Sequence, residues 1–383
     1  MKPTEIFLVA GEPSGDRHAG LLAAELLRRR DYRLTGVGGE WMRRAGVQTD
    51  VDSSNGATIG LAQALAKLPL ALKARRSILR AVEERRPALI ILVDFGGFNV
   101  HIARRIRRLP WHQPIMYYFP PSSWDKSERD RSPLAAVTDV VATPFRWSEQ
   151  LLRQDGVNAH YVGHPVVDTI LPLEDKSALR SQLGLPAAEH YVGLMPGSRP
   201  LERALLAPQM WGAARLLAAN ERYHYLWSPG PPGLRQTQRI PRDLEGYVTV
   251  VPSTADLVRA SDLVLMAFGT ATLEAAAALT PMVGMYRATA AMLLQFRLRR
   301  LDTTYYAMPN IILGRPLVPE LILHACDATP LAACVRELFA DPQRLAAMRA
   351  GLQECREQLG PPGSVARTAD LVESTLAERG DVG

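Results

Sequence analysis

The stretch EIFLVAGEPSGDRHAG, residues 5–20, decides the fold. Ile6 to Ala10 is an unbroken apolar run, as a strand covered on both faces requires. It stops at Gly11, Pro13, Ser14, Gly15 and Asp16, and a helix-like pattern follows. A strand that ends in glycines and passes into a helix points unbonded N–H groups at whatever the loop holds, and an anion suits them best.

Further short apolar runs follow at strand-like intervals: Leu34–Val37, Leu89–Val93, Ile115–Tyr118, Val137–Val141 and Ala159–Val162. Helix-like segments separate most of them, among them Leu21–Arg30, Leu70–Arg86, Ile102–Arg108 and Ser148–Gln154. Strands alternating with helices imply parallel pairing, because parallel neighbours need a crossover. The pattern restarts at HYVGLMPGSRPLER, residues 190–203, and continues through YLWSPG, YVTVVPS, ASDLVLMAFGTATLEAAAAL and PMVGMYR. Residues 168–190, rich in proline and charge, read as a linker with a short helix. The expected organisation is α/β: a Rossmann-like domain over residues 1–167, a second over 168–355, and a C-terminal helix over 356–383 that packs back on the first. The two domains would face a central cleft.

The totals agree. A chain of 383 residues exceeds one ordinary core, and 47% hydrophobic with 22% charged residues is soluble globular composition. Cys326, Cys334 and Cys355 show no paired metal spacing, so a reduced, cytoplasmic setting is expected and zinc is not. Met1 to Glu5 runs straight into the first strand, so no signal peptide is expected. The net charge of +6 admits nucleic acid, an anionic membrane or a phosphorylated substrate. The basic helices lack the interleaved aromatics of a base-stacking platform, which argues against nucleic acid.

In MPGSR, Gly197 and Ser198 end a strand and Arg199 stands at the start of a helix, where a guanidinium can fork onto phosphate oxygens. No Walker A lysine and no GxGxxG follows, so neither a P-loop nor a dinucleotide site is indicated. Taken alone, this turn reads equally well as a tight connection with an exposed arginine. A second turn, AFGTATLE, places Gly269 and Thr270 after a buried strand and Glu274 one helical turn later. Glu274 suits either ribose hydroxyls or the helix dipole. Two anion-ready turns in one half point to a nucleotide diphosphate there.

The motifs VAGEPSGD, YVGHPVVD, MPGSR, FGTATLE and TTYYAMPNIILGRPLVPEL stand in an order and at spacings that resemble the lipid-A-disaccharide synthase family over nearly the whole chain. The resemblance implies a GT-B fold. It also implies an inverting transfer of an acylated glucosamine from a UDP-linked donor to an acylated glucosamine 1-phosphate, with UDP as the leaving group. It calls for no cofactor and no metal, and for a homodimer that exchanges C-terminal halves. It places Gly197, Ser198, Arg199, Glu202, Gly269, Thr270, Glu274 and Asn310 on the UDP-sugar. It places Gly11, Glu12, Ser14, Gly15, Asn99 and Trp124 on the acceptor side. The first loop then faces the acceptor, and the nucleotide belongs to the second half.

This chain departs from the family pattern mainly in the first half. VDFGGFN keeps Asp94 and Asn99 but carries Gly97 where the family has the aspartate proposed as catalytic base. Phe268 replaces a small polar residue before Gly269. The remaining candidates for the base are Asp94, Asp16, Glu12, His18 and Asp125; three are put forward, Asp94 at the end of a buried strand or Asp16, with His18 as a third. Each has a structural alternative: backbone hydrogen bonding for Asp94, helix capping for Asp16. In GLAQALAKLPLALKARRSILR, Leu61, Leu65, Leu68 and Leu72 recur beside Lys73 and Arg76. That pattern fits a helix covering the sheet. Given a lipid acceptor, it also fits a segment on the inner, anionic face of the cytoplasmic membrane. Two other functions stay open: a UDP-N-acetylglucosamine 2-epimerase-like isomerase, and a UDP-sugar-binding homologue without catalysis.

Overall fold

The computed structural model of the chain describes residues 3–52, 68–126, 131–218, 223–230, 239–289 and 304–378. The chain forms two compact units, one of Met1–Asp168 with Leu359–Gly383, the other of Thr169–Gln358.

The first unit runs β1 (Glu5–Ala10), α1 (Pro13–Arg29), β2 (Arg33–Gly38), α2 (Glu40–Arg44), β3 (Gln48–Asp52), α3 (Leu68–Arg85) and β4 (Leu89–Val93). It continues with α4 (Gly96–Ile106), β5 (Ile115–Tyr118), α5 (Ser132–Ala135), β6 (Val140–Thr143), α6 (Arg146–Gln154), β7 (Ala159–Tyr161) and α7 (Val166–Thr169). The strands pair parallel in the order β3-β2-β1-β4-β5-β6-β7, with Ile6 beside Leu89 and Ala10 beside Val93. The order reverses between β1 and β4, the place where an open α/β sheet leaves a crevice at its carboxyl ends.

The apolar strands serve two layers at once. Ile6, Leu8, Leu89 and Ile91 point into one core, while Phe7, Val9, Ile90 and Leu92 point into the other. Successive side chains of a strand face opposite ways, so both layers need apolar residues and the run cannot alternate with polar ones. The first layer is closed by Ala19, Leu22 and Leu26 of α1, together with Ala369, Val372 and Leu376. These last three lie on the chain's last helix, α15 (Ser364–Ala377). Arg29 fixes α15 to α1 by reaching Asp370 at 2.6 Å and Glu373 at 3.0 Å. The second layer takes Ile78, Ala81 and Val82 of α3 and Ile102, Ala103 and Ile106 of α4. The lower half of α3 therefore covers the sheet, and its Lys73, Arg76 and Arg80 face solvent. Leu72 is half-buried; Leu61 and Leu65 lie outside the described residues, as does the side chain of Leu68.

The second unit runs α8 (Ser177–Gln182), β8 (His190–Met195), α9 (Pro200–Ala218), β9 (Tyr223–Trp227), β10 (Val248–Val250), α10 (Thr254–Ala260) and β11 (Leu263–Ala267). Then come α11 (Ala271–Ala277), β12 (Met282–Tyr286), α12 (Met308–Leu313), β13 (Glu320–Ile322), α13 (Ala328–Ala340) and α14 (Pro342–Leu359). Its parallel order is β10-β9-β8-β11-β12-β13, so its switch point falls between β8 and β11.

Several elements differ from the expected ones, α1 among them, which starts at Pro13 and not Leu21. The strand expected from Val137 starts at Val140, because the Val137 and Thr138 amides turn back onto the Leu134 carbonyl. Helix α4 starts at Gly96, well before Ile102, because Phe95 takes a left-handed conformation and launches it. Strands β3 and β13, short or polar, had no apolar run to announce them.

Candidate functional site

Each switch point is flanked by a glycine turn. In the first unit, the β1–α1 turn and the β4–α4 turn lie side by side. A Cβ at Gly11 would fall 2.1 Å from the Phe95 ring, and one at Gly15 would fall 3.1 Å from the Val93 carbonyl oxygen. Only glycine lets the two loops approach this closely. The contact they make is polar: Ser14 Oγ donates to Asp94 Oδ2 at 2.9 Å. The Asp94 carboxylate also accepts from the Phe95 N–H through Oδ1 at 2.8 Å.

The backbone here is strained. Asp94 and Phe95 have φ of 52° and 54°, and Phe119 and Ser122, after β5, each have φ of 59°. Left-handed non-glycine residues cost on the order of 1–3 kcal/mol each and collect at functional sites. Asp94 is held in this conformation through its carbonyl, which accepts from Asn99 Nδ2 at 2.8 Å and from the Tyr117 hydroxyl at 2.9 Å. Asn99 is fully buried and also donates to the Val93 carbonyl at 3.2 Å, so it shapes the turn from beneath. Gly97 is exposed, and nothing lies within 4 Å of the position its Cβ would take. Glu12 is half-buried at the N-cap of α1, and Trp124 is exposed at the end of the turn after β5.

Two of the three candidate bases have other tasks. The Asp16 carboxylate is buried and accepts the N–H groups of Gly39, Trp41 and Met42 at 2.7, 3.0 and 3.2 Å. It anchors the start of α2, where a carboxylate also suits the helix dipole. His18 is packed face to face on Phe119 at 4.1 Å and edge-on to His164 at 5.6 Å. Burial, then the charges of His164 and Arg17, hold its pKa well below the usual 6.5. A ring so placed stays neutral and is a weak base. Of these three, Asp94 is the one whose carboxylate lies in a turn at the sheet's switch point.

In the second unit, the β8–α9 turn meets the end of β11. Gly197 has φ of 104°, and a Cβ there would lie 2.5 Å from Glu202 Oε2 and 3.3 Å from Ala267 Cβ. Arg199 Nη1 donates to Glu202 Oε1 at 2.9 Å, which aims the guanidinium across the first turn of α9. Pro200 opens that helix, where a missing N–H costs nothing. Gly269 and Thr270 are exposed at the end of β11, and Glu274 is buried in the first turn of α11. The Thr272 and Leu273 amides fold back onto the Gly269 and Thr270 carbonyls, so α11 offers a ligand fewer N–H groups than an ideal first turn. Asn310 has its side-chain amide fully engaged within the protein. Its amide donates to the Val318 carbonyl and Glu320 at 2.9 Å, and its oxygen accepts from Leu317 and Val318 at 2.8 and 2.9 Å. It is a loop-former beside a cavity of about 510 Å³ lined by Tyr305, Arg315, Glu320 and Arg344.

The sequence reading gave Arg203 no role and Phe268 no partners. Arg203, 2% exposed, holds the Gly197 carbonyl at 3.1 Å and the Ser228 carbonyl at 3.0 Å and so braces the glycine turn from behind. Its place one turn after Arg199 was the available signal. Phe268 stacks between Tyr286 and Tyr306, with interplanar angles of 15° and 16°. Gly284 leaves room for its ring, since a Cβ there would fall 2.3 Å from it. Among the described residues no group of histidine, cysteine and carboxylate side chains is arranged to hold a metal.

The sequence model of the lipid-A-disaccharide synthetase family matches residues 6–373. A lipid-A-disaccharide synthase from Anaeromyxobacter dehalogenans is 36% identical over 377 residues, covering 96% of each chain. One from Syntrophus aciditrophicus is 31% identical over 381 residues, covering 98% of each. Among solved structures, the glycosyltransferase of kitacinnamycin superposes with a TM-score of 0.61 at 19% identity, covering 98% of this chain and all 100% of the other. A UDP-GlcNAc 2-epimerase from Neisseria meningitidis, bound to UDP-GlcNAc, gives 0.59 at 12% identity, covering 98% and 100%. At such identities the structures speak for fold alone: two parallel α/β sheets in the GT-B arrangement of elements. The epimerase alternative is not favoured, because full-length sequence likeness runs to the synthases.

Proposed function

Because the chain belongs to the lipid-A-disaccharide synthase family, we propose that it joins an acylated glucosamine, delivered as its UDP derivative, to an acylated glucosamine 1-phosphate. The observation that carries this reading is the placement of the motifs: both glycine turns of the second unit and both turns carrying Ser14 and Asp94 stand at switch points. The second unit takes the donor. The β8–α9 turn and Arg199 meet the pyrophosphate, and Glu202 keeps the guanidinium oriented. As the bond to the anomeric carbon breaks, negative charge grows on the departing UDP, and these groups stabilise it. Glu274 and the Gly269–Thr270 turn face the rest of the nucleotide. The first unit takes the acceptor on the Gly11–Gly15 loop and Trp124, with Asp94 as the final proton acceptor.

The test is incubation with UDP-2,3-diacylglucosamine and 2,3-diacylglucosamine 1-phosphate. Disaccharide and UDP are expected in equal amounts. Turnover of the donor without acceptor would support an isomerase or hydrolase, and UDP binding with no turnover would support a homologue that has lost catalysis.

We also place the protein on the cytoplasmic membrane's inner face as a peripheral protein and read it as a homodimer. No helix among the described residues is long and apolar enough to cross a membrane. The support for surface contact is the basic face made by Lys73, Arg76 and Arg80 of α3, Arg104 and Arg105 of the adjoining α4, and Arg108 in the turn after α4, all exposed. Anionic lipid attracts such a face by about 1 kcal/mol per charge near the surface. Vesicle binding that ignored anionic lipid and salt would contradict docking, and sedimentation as a monomer would contradict the dimer.

A further inference from the structure

Both oxygens of the Asp94 carboxylate are already hydrogen-bonded within the protein. Oδ1 is engaged by the Phe95 N–H at 2.8 Å and Oδ2 by the Ser14 hydroxyl at 2.9 Å. Ser14 is half-buried on the first turn of α1. Its hydroxyl proton is committed to Asp94, which leaves the oxygen's lone pairs to accept from another hydroxyl. Gly11 and Gly15 exist at this point so that the two loops can come together, and the strained Asp94–Phe95 backbone turns the carboxylate toward Ser14. Gly97, in the first turn of the neighbouring α4, has no side chain to take a proton.

We propose that Ser14 is a catalytic residue that relays the proton: the acceptor's hydroxyl gives its proton to Ser14 Oγ while Ser14 gives its own to Asp94 Oδ2. The balance is complete. The acceptor oxygen forms its bond to the anomeric carbon, and the bond from that carbon to the UDP oxygen breaks. The electron pair leaves on UDP, Ser14 ends as it began, and Asp94 ends as a neutral acid that returns its proton to water. This rests on the transferase reading above and deepens it by naming the group that touches the acceptor.

The experiment compares wild type, Ser14→Ala, Ser14→Thr, Asp94→Asn and the Ser14→Ala/Asp94→Asn double variant, using the two diacylglucosamine substrates. Ser14→Ala and Asp94→Asn are each expected to lower kcat by about 10²- to 10⁴-fold, the range for general base catalysis. The double variant should be no slower than the slower single, because the two residues act as one unit. Ser14→Thr, which keeps the hydroxyl, should recover most of the rate. A loop tie alone would not move the solvent isotope effect. In mixtures of light and heavy water, wild type should show a curved dependence from two protons in flight, and Ser14→Ala a linear one. UDP affinity should be unchanged throughout. Disaccharide formation by Ser14→Ala within about threefold of wild type, or losses that multiply in the double variant, would overturn the relay and leave the transferase reading standing. Absence of disaccharide from wild type would overturn that reading and the relay with it.

Discussion

The two switch points solve the same geometric problem in different ways. In the second unit the sharp turns are made by glycines, Gly197 at φ 104° and Gly269 at φ 146°, which adopt them without strain. In the first unit the turn after β4 is made by Asp94 and Phe95, and the one after the neighbouring β5 by Phe119 and Ser122, which do not. The second unit's turns thus offer backbone groups and one oriented arginine, a solution that would suit any pyrophosphate. The first unit's turns instead hold side chains locked together at some energetic cost.

The largest expected effect separates the units by stability. Val372 of α15 is fully buried in the first unit's core. Val372→Asp would bury an unpaired carboxylate and should cost several kcal/mol. Calorimetry should show the first unit's transition lost or shifted strongly downward, with the second unit's little changed; an equal shift of both would mean that α15 does not belong to the first unit alone.

Acid should act on the first unit next. Burial, with Arg17 nearby, pushes His164 down to about 3, and His18 is lowered too. Below pH 6.5 the unfolded chain binds protons that the folded chain refuses, so stability falls as pH drops from about 6.5 toward 3. At pH 5 the loss from His164 is about 2 kcal/mol, and His18 adds to it in the same direction. His18→Phe keeps the stack on Phe119 and should make the fall measured by denaturant unfolding between pH 7 and pH 5 shallower. An unchanged slope would show that His18 does not contribute.

Asp16→Asn weakens three hydrogen bonds to the start of α2 and should cost about 2 kcal/mol of stability. kcat should stay within about threefold, whereas a base would show a loss of a hundredfold or more in the same assay. The smallest effect belongs to Gly97→Asp. The site is open, and a carboxylate in the first turn of α4 should add about 0.5 kcal/mol. With Ser14 and Asp94 already carrying the proton, kcat should change by less than about threefold. A hundredfold gain would mean that the chain as it stands has no proton acceptor.

Much of this arrangement was legible in the residues. The runs Ile6–Ala10 and Leu89–Val93 announced strands buried on both faces, and the two glycine turns announced where the sheets open. Strands β3 and β13 were hidden because an edge strand needs no apolar run. Asp16 could be read as a cap but not as the cap of α2, since its partners Gly39 to Met42 lie more than twenty positions away in the chain. The motif marks Asn310 but could not show that its amide makes four hydrogen bonds within the fold. The tie between Ser14 and Asp94 joins residues separated by 80 positions, and only the parallel pairing of β1 with β4 brings them together.

The central claim, that the β8–α9 turn and Arg199 hold the donor's pyrophosphate, is tested most directly by calorimetric titration of UDP into wild type and Arg199→Glu. Reversing a charge that meets phosphate oxygens should weaken binding by at least about a hundredfold, equivalent to about 2.7 kcal/mol. Unaltered affinity in Arg199→Glu would place the nucleotide elsewhere and contradict the account.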